Sequence, residues 1–464
     1  MIYSIIPAQV EGLGDLEKAM LEKLIQVYNK HEIPNMRKDK YYEGHIALGD
    51  VNLGIALPDG MRGLEVGCAW GAKTVDVLAA RSMFDGYVSA DGNEATELGQ
   101  FVQGNNLLYE YMKACRDELK YGCTFATLSA DDKIGCKLRF HSPRSAAALW
   151  SGELNRIYCG FAIIDTKSDG VDEIPTLVNL YTDDAVWVLR VTEHGWVAEE
   201  HRHGMGRPLM EPIVWNATSA KPFGRSRIKE PVRRLIDGYV RTIANAAIGL
   251  EFATAPQKYI LGVTDEQYDQ IINQKFKQYV GSIIASTNNP DTGEKPTFGQ
   301  LAQGNIGPHT EMIRILATQF SAATGLTVTD TGVVNDANPT SSDAILAQSQ
   351  TLVCMAEQLN AGNGDALRDI ALMAIAIMNN TDLNGLTEEQ RAVIAHFKNP
   401  AMPSVAMTAD AAIKISTARP EFAETDTFLE MIGFDQADIR RIKAQEERAR
   451  GMALIDEIAN ENIE

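Results

Sequence analysis

Residues 145–217 constrain the fold more than any other part of this 464-residue chain. Short β-branched and aromatic runs alternate here with Asp, Gly, Glu-His and Pro. The runs are RIYCGFAIID, TLVNLYTDDAVWVLRV, GWVAEEHRHG and EPIVW. Turns at such close intervals favour an antiparallel meander over alternating βαβ units, whose crossover helices need more residues.

Helical periodicity dominates the second half of the chain. Residues 228–255 are predicted to form one long helix, with Pro231 in its first turn, where proline is tolerated. Pro308 is predicted to open a second helix, which Gly325 ends in the manner of a C-cap glycine. The intervening segment includes the polar stretch STNNPDTGEKPTFGQ, whose Gly, Pro, Asn and Asp content indicates a hairpin or exposed tip.

Two further helical patterns flank these elements. Residues 15–32 are predicted to form a helix, and residues 36–48 a polar turn around an aromatic pair. A third C-terminal helix begins with Ser341 or Ser342 as its cap, and asparagine and glycine are expected to interrupt it before DALRDIALMAIAIM. Strands in front and helices behind give an α+β fold class.

Composition narrows the protein class. Hydrophobic residues make up 45% and charged residues 23% of the chain, as in an ordinary globular protein. A membrane span is not expected, because no run of about 18 uninterrupted apolar residues occurs. A secretory signal is not expected either, because no basic leader precedes the first apolar run. The six cysteines contain no CxxC pair and fit reduced core thiols.

The stretch GLEVGCAWGAKTVDVLA, residues 63–79, resembles a cofactor-binding loop. An acidic residue, two glycines and a small residue follow an apolar approach: Glu65, Gly67, Ala69 and Gly71. Glycines at the start of a helix let backbone approach a nucleotide-type ligand. An S-adenosylmethionine-dependent methyltransferase, with Asp91 binding the ribose hydroxyls, is therefore one hypothesis.

A packing turn at a helix start is the favoured interpretation of this stretch. The surrounding sequence does not predict the buried parallel strands of a doubly wound fold. Trp70 also occupies the turn, where its bulk would obstruct a cofactor. We therefore predict that residues 67–71 bind no cofactor and that Trp70 packs in the core of the N-terminal domain.

Other polar groups favour solvated surfaces over sites. His201 and His203 share one face of a strand, but the sequence places no third metal ligand. A basic group precedes and enters the long helix and is interpreted as a solvated helix face: Arg225, Arg227, Lys229, Arg233 and Arg234. We predict no catalytic residue, no metal site and no cofactor.

Several motifs, taken in order, resemble the portal proteins of tailed bacteriophages. KYYEGHIAL (40–48) is similar to that family's early tyrosine-glycine motif, and AWGAKTVDVLAARSMFDGY (69–87) to a segment with spaced Trp, Val-Asp, Arg and Gly. GMGRPLMEPIVW and FGRSRIKEPVRRLIDGYVRTI resemble its glycine-proline strand and the start of its stem helix. ATGLTVTDTGVVNDANPTSSDAI resembles its tunnel-loop region, and residues 399–451 its closing helices.

The resemblance implies a subunit of a ring with a wing, a stem, a clip and a crown. Its layout has these parts: 1–231, a mixed α/β wing with antiparallel strands; 232–257, the stem helix; 258–308, a small α/β clip; 309–326, a second stem helix; 327–340, the tunnel loop; 341–400, a long helix and wing return; 401–464, crown helices.

The same resemblance implies function and partners. Twelve subunits would form a channel at one capsid vertex, through which double-stranded DNA is packaged, retained and ejected without sequence specificity. The implied partners are the terminase packaging motor, the major capsid protein and a head-completion protein. The implied location is the virion, and the host cytoplasm during assembly. A scaffold protein that shares only the helical half is a further possibility.

Two groups of residues follow from this layout as candidate sites. The channel-lining candidates in the tunnel loop are polar and include no cation: Thr329, Asp330, Thr331, Asn335, Asp336 and Asn338. The candidates for contact with the motor or connector in the clip are Lys275, Lys277 and Lys295. The formal net charge of −19 suits a conduit that must not hold phosphate tightly.

Overall fold

The computed structural model describes residues 10–47, 65–89, 95–168, 170, 173–254, 258–261, 293, 297–300, 305–333, 342–401, 405–434 and 436–461. The helices are α1 Asp15–Glu43, α2 Trp70–Ala79, α3 Gly99–Gly104, α4 Leu107–Tyr121, α5 Glu230–Thr254, α6 Gly307–Thr324, α7 Ser342–Met378, α8 Glu388–Arg391, α9 Val405–Ala418, α10 Asp426–Ile432 and α11 Gln436–Glu461. The strands are β1 His45–Ala47, β2 Glu65–Gly67, β3 Phe84–Val88, β4 Cys123–Asp131, β5 Gly135–His141, β6 Ala146–Ser151, β7 Arg156–Ser168, β8 Glu173–Tyr181, β9 Ala185–Thr192, β10 Gly195–Arg202, β11 Met210–Val214, β12 Lys258–Leu261, β13 Thr297–Gln300 and β14 Ile394–Phe397.

The chain divides into two compact units. The first contains Met1–Leu78, Ala114–Thr127 and Phe140–Leu352, and the second contains Ala79–Lys113, Leu128–Arg139 and Val353–Glu464. Both mix helices with antiparallel strands, so the α+β class predicted from the sequence is confirmed at this level.

Most of the predicted meander is a five-stranded antiparallel sheet in the first unit, with the order β10-β9-β8-β7-β6. Its last predicted run, EPIVW, does not join this sheet, because β11 pairs antiparallel with β4 instead. One face packs on α1 through a buried cluster that includes Leu24 and Tyr28 from the helix and Phe161 and Leu180 from the strands. Tyr28 also donates its hydroxyl to the carbonyl of Arg144 at 2.7 Å. The cluster members of each strand stand at alternate positions, as expected for side chains on one face of a sheet: Cys159, Phe161 and Ile163 in β7, and Val178 and Leu180 in β8.

Helices α5 and α6 form the second part of the first unit and pack on each other. Each helix has a buried apolar stripe: Val232, Ile236, Val240 and Ala244 in α5, and Leu316, Ala317 and Phe320 in α6. Gly238 brings the helices close, because a Cβ there would lie 3.2 Å from the Leu316 side chain. Gly325 ends α6 with φ 73°, so the predicted C-cap glycine is confirmed.

The predicted turn at residues 36–48 is wrong, because α1 continues to Glu43 and Gly44 ends it with φ 77°. The exposed Pro34 lies inside this helix and does not break it. The last turns are held by tertiary contacts: Lys38 donates to the carbonyl of Tyr121 at 2.8 Å, and Tyr41 and Tyr42 donate to carboxylates of two other helices. Such contacts outweigh the polar local sequence from which the turn was predicted.

The predicted interruption of the third helix is also wrong, because α7 runs without a break from Ser342 to Met378. In the second unit, Asn363 is fully buried and donates its side-chain amide to the Tyr111 hydroxyl at 2.8 Å. That hydroxyl also bonds Ser82 Oγ at 2.7 Å. The asparagine that looked like a helix breaker is therefore a polar core contact.

None of the six cysteines forms a disulfide, and five of them are buried. Within the described ranges, no helix has the length and apolar character needed to span a bilayer.

We expect opposite effects from two neighbouring substitutions in α7. Asn363→Ala removes the amide that bonds the buried Tyr111 hydroxyl, and should lower the free energy of unfolding by about 1–3 kcal/mol. Gly362 is exposed and a Cβ there meets no atom within 4 Å, so Gly362→Ala should raise it by about 0.5–1 kcal/mol. Urea titration of both variants measures the difference, and equal shifts in the same direction would refute the role given to Asn363.

Candidate functional site

The glycine-rich stretch at residues 63–79 does not have the architecture of a nucleotide site. Its strand, β2, pairs antiparallel with β1 in a two-stranded sheet, with Ile46 opposite Val66. A nucleotide-binding βα turn instead follows a strand of a parallel sheet. Helix α2 then begins at Trp70, as the helix-start interpretation predicted.

The second glycine of the stretch is needed for packing. A Cβ on Gly71 would overlap the carbonyl oxygen of Tyr41, near the end of α1. The N–H of Cys68 also donates to the carbonyl of Gly44, the residue that ends α1, at 3.0 Å. Backbone of α1 thus occupies the space that a cofactor would need beside Gly71. By contrast, a Cβ on Gly67 meets no atom within 4 Å.

We expect the two glycines to respond differently to substitution. Gly71→Ala should lower the free energy of unfolding by about 1–3 kcal/mol, because the methyl group overlaps the Tyr41 carbonyl. Gly67→Ala is the matched control and should change it by less than about 0.5 kcal/mol. Thermal denaturation of the two variants is the measurement. A Gly67→Ala variant as unstable as Gly71→Ala would contradict the packing account.

Trp70 is the first residue of α2 and is buried, with 4% of its surface exposed. Its ring lies 4.5 Å from the Tyr239 ring of α5 and 4.7 Å from the Phe320 ring of α6, each at an interplanar angle of 36°. Its indole Nε1–H donates to the carbonyl of Thr331 at 3.2 Å. Trp70 is buried, as predicted, but the two rings on which it packs, Tyr239 and Phe320, lie outside the N-terminal stretch 1–231 in which its contacts were predicted.

The tyrosine pair at the end of α1 fixes that helix to two others. Tyr41 donates its hydroxyl to Asp237 of α5 at 2.7 Å, and Tyr42 donates to Asp76 of α2 at 3.0 Å. Burial raises the pKa of Tyr42 to about 12, and burial with the Asp237 hydrogen bond raises that of Tyr41 further. Both hydroxyls therefore keep their protons at neutral pH and act as donors.

The prediction that the basic group forms a solvated helix face is wrong for Arg227, because its side chain is buried. Its Nε donates to the carbonyl of Thr74 at 2.6 Å, and its Nη2 to the carbonyl of Thr324 at 2.7 Å. Its guanidinium carbon also lies 5.8 Å from the centre of the Trp215 ring. Burial lowers the pKa of Arg227 to about 10, which leaves it charged at neutral pH. The charge bridges α2 and the last turn of α6.

We expect Arg227→Lys to be destabilising although it keeps the charge. A lysine cannot supply the planar pair of donors, so one of the two buried carbonyls loses its partner. The free energy of unfolding should fall by about 1.5–3 kcal/mol. Arg225→Lys, two residues away and exposed, is the control and should have an effect below about 0.5 kcal/mol. Guanidinium titration tests the pair, and equal stability of the two variants would rule out the bridging role.

The segment after α6 begins with a compact turn, residues 327–332, which we call the loop base. Asp330 Oδ2 accepts from the N–H and from the hydroxyl of Thr327, at 2.9 and 2.7 Å. Thr329–Thr331 form a single 3₁₀ turn, which Gly332 ends with φ 81°. Thr329 is exposed, whereas Asp330 and Thr331 are half-buried. Of the tunnel-loop candidates, the structure therefore places these three, and the carboxylate of Asp330 is used within the turn.

The remaining candidate residues lie outside the described residues. They are Asn335, Asp336, Asn338, Lys275, Lys277 and Lys295, together with Asp91 of the methyltransferase hypothesis. Sequence reasoning missed Tyr239 and Phe320 as ring partners of Trp70, and Arg227 as a buried donor to Thr324. Helical periodicity predicted the helix that contains Tyr239, but nothing in the sequence paired this residue with Trp70.

The two histidines near the end of β10 do not gather a metal site. His201 is exposed and lies 3.6 Å from Glu199. Burial lowers the pKa of the half-buried His203. Across the part of the chain that the structure describes, no three His, Cys, Asp or Glu side chains are grouped to hold a metal ion.

Comparison with known proteins gives a family match and several relatives. The family model described as "Phage portal protein, SPP1 Gp6-like" matches residues 22–452. The portal protein of Mycobacterium phage D29 is 24% identical over 419 residues, which are 87% of this chain and 84% of that protein. The portal protein of Mycobacterium phage L5 is 24% identical over 428 residues, which are 88% and 84% of the two chains.

Two solved structures are also similar to this chain. One is described as the neck of a native GTA particle computed with C12 symmetry; it covers 79% of this chain and 89% of its own, with a TM-score of 0.43 and 11% identity. The other is the neck of an empty GTA particle computed with C6 symmetry; it covers 78% and 89%, with a TM-score of 0.46 and 12% identity.

Proposed function

We propose a DNA-conducting channel function for this chain, which belongs to the SPP1 Gp6-like family of phage portal proteins. Twelve copies form a ring at one vertex of a capsid, and double-stranded DNA passes through it during packaging and ejection. The observation that carries this proposal is the family match over residues 22–452, which spans most of both compact units.

The proposed subunit has the layout of a wing, a stem, a clip and a crown. Helices α5 and α6 occupy most of the proposed stem segments 232–257 and 309–326 and pack on each other, which supports their pairing. Strands β12 and β13 pair antiparallel at the two ends of the proposed clip, 258–308. Helices α9 to α11 supply the crown, 401–464.

In this proposal the segment 327–340 faces the central channel. It connects a stem helix to α7, and its sequence contains no lysine or arginine. Thr329 and the backbone around Gly332 are exposed, so they can contact a passing duplex without an ionic bond to phosphate. Asn335, Asp336 and Asn338 continue the same polar character in the sequence.

The negative net charge of the subunit is consistent with a channel that conducts DNA. Duplex DNA carries one negative charge per about 1.7 Å of axis, and lysines or arginines that neutralise phosphates add strongly to affinity. A subunit with a net charge of −19 holds the duplex weakly, so the motor works against little binding energy. Twelve copies multiply this effect around the ring.

The proposed partners follow from the position of a portal in the particle. Lys275, Lys277 and Lys295 of the clip are candidates for contact with the terminase motor and later with a head-completion protein. The wing meets the major capsid protein. The protein thus acts in the host cytoplasm during assembly and in the virion afterwards, and it is not an enzyme.

Particle mass provides the first test. We expect the purified protein to form rings of about 0.6 MDa, twelve times 50.8 kDa, in light scattering and in negatively stained images. Calorimetry with S-adenosylmethionine tests the alternative on the same sample, because a methyltransferase would bind it saturably. A monomer that binds this cofactor would overturn the channel proposal.

The second test distinguishes a role of the loop in DNA handling from a role in ring assembly. Deletion of residues 332–336 should leave ring yield unchanged, because α5, α6 and the loop base up to Thr331 keep their contacts. The amount of DNA packaged or retained per particle should fall at least several-fold. It is measured as genome content of nuclease-treated particles.

A length-matched variant serves as the control for this deletion. Replacing residues 332–336 by alternating glycine and serine keeps the chain length and removes the native side chains. Loss of DNA in both variants assigns the effect to the side chains, and loss in the deletion alone assigns it to loop length. Wild-type DNA content in the deletion would remove the loop from the proposed function.

A further inference from the structure

We propose that Trp70 is a positioning residue for the tunnel loop. Its indole N–H holds the Thr331 carbonyl and thereby fixes the place from which the loop leaves the stem. This inference rests on the proposed function, because the position of the loop matters only if the loop meets DNA.

The shape of the loop base is set by local hydrogen bonds. Asp330 N–H donates to the carbonyl of Thr327, Thr331 N–H to that of Val328, and Gly332 N–H to that of Thr329. Together with the Thr327–Asp330 side-chain bonds, these contacts close the turn on itself. Bonds within a turn fix its shape but not where it lies relative to the helices.

Upstream of the turn, one hydrogen bond comes from a distant residue and a second lies within the end of α6. Arg227 holds the carbonyl of Thr324, and Ser321 Oγ donates to the carbonyl of Leu326 at 2.5 Å. Both bonds come before the loop base in the chain. Within the described loop base, Thr331 is held to a distant element by the bond from Trp70, which joins residues 261 positions apart.

Trp70 is itself held firmly enough to serve as an anchor. Its ring lies between Tyr239 and Phe320, and its carbonyl accepts from the Thr74 hydroxyl at 2.8 Å. The next residue, Gly71, is in close contact with the Tyr41 carbonyl. The anchor therefore moves with the stem helices α5 and α6 and transmits their position to Thr331.

The choice of tryptophan has a specific chemical reason. A phenylalanine could fill most of the space between the two rings, but it has no N–H to donate. A pure packing role would therefore tolerate phenylalanine, whereas the positioning role needs the indole donor. Trp70→Phe separates the two.

Hydrogen exchange of assembled rings provides the direct readout. In Trp70→Phe the turn loses the contact that holds it on the packed helices, and its own hydrogen bonds should open more often. The amides of Asp330, Thr331 and Gly332 should therefore exchange about 3- to 10-fold faster, the factor that corresponds to loss of one hydrogen bond. Tyr28→Phe is the matched control, because it also removes one bond from a side chain to a carbonyl, in the core of the five-stranded sheet. That variant should leave exchange of these three amides unchanged.

Packaging provides the functional readout on the same rings. Trp70→Phe should form rings in wild-type yield but retain several-fold less DNA per particle, whereas Tyr28→Phe should retain the wild-type amount. Wild-type exchange in Trp70→Phe would overturn the inference. So would faster exchange with unchanged DNA content, provided that the deletion of residues 332–336 does lower it.

Failure of the proposed function looks different from failure of this inference. If particles with the deletion retain the wild-type amount of DNA, the loop has no role in DNA handling and is removed from the proposed function. Should Trp70→Phe fail to assemble, 3-benzothienylalanine at position 70 keeps the bicyclic shape and replaces the N–H by sulfur. Its exchange and DNA content are then decisive in the same way.

Discussion

A buried guanidinium is the interaction on which this part of the molecule depends. Arg227 brings a charge into the interior and offsets that cost with two backbone carbonyls, one in α2 and one at the end of α6. The carbonyls of the last helical turn lack intrahelical partners and carry the negative end of the helix dipole, so a cation is favoured there. The same two hydrogen bonds tie the segment before α5 to α2 and α6, and the ring of Trp70 packs on rings of α5 and α6.

Hydrophobic periodicity predicted which helices and strands form better than it predicted where they end. The meander and the helices α5 and α6 followed from patterns that repeat over many residues, and Gly325 ended α6 where its φ of 73° suits glycine. The extension of α1 and the continuity of α7 could not be predicted in this way. Asn363 looks like a helix breaker until its buried partner, Tyr111, is known. In both helices the stabilising contact comes from a residue that is distant in sequence.

The candidate site was predictable only in part, for the same reason. The sequence placed a polar loop after α6, and Thr329, Asp330 and Thr331 lie there. It placed Arg227 on a solvated face, because neighbouring exposed cations such as Arg225 look alike in a string of letters. Burial of one arginine among several depends on which backbone carbonyls come near it, and that is a property of the assembled fold.

The two glycines at residues 67 and 71 explain why a short motif can suggest the wrong ligand. In a cofactor loop, glycine makes room for a phosphate; at Gly71 it makes room for the backbone of α1, near Tyr41. Both needs select glycine at the start of a helix, so the letters alone cannot separate them. What separates them is the occupant of the space. Here that occupant is the end of α1, whose tyrosines donate to α5 and α2, and the close approach that Gly71 permits places Trp70 against α5 and α6.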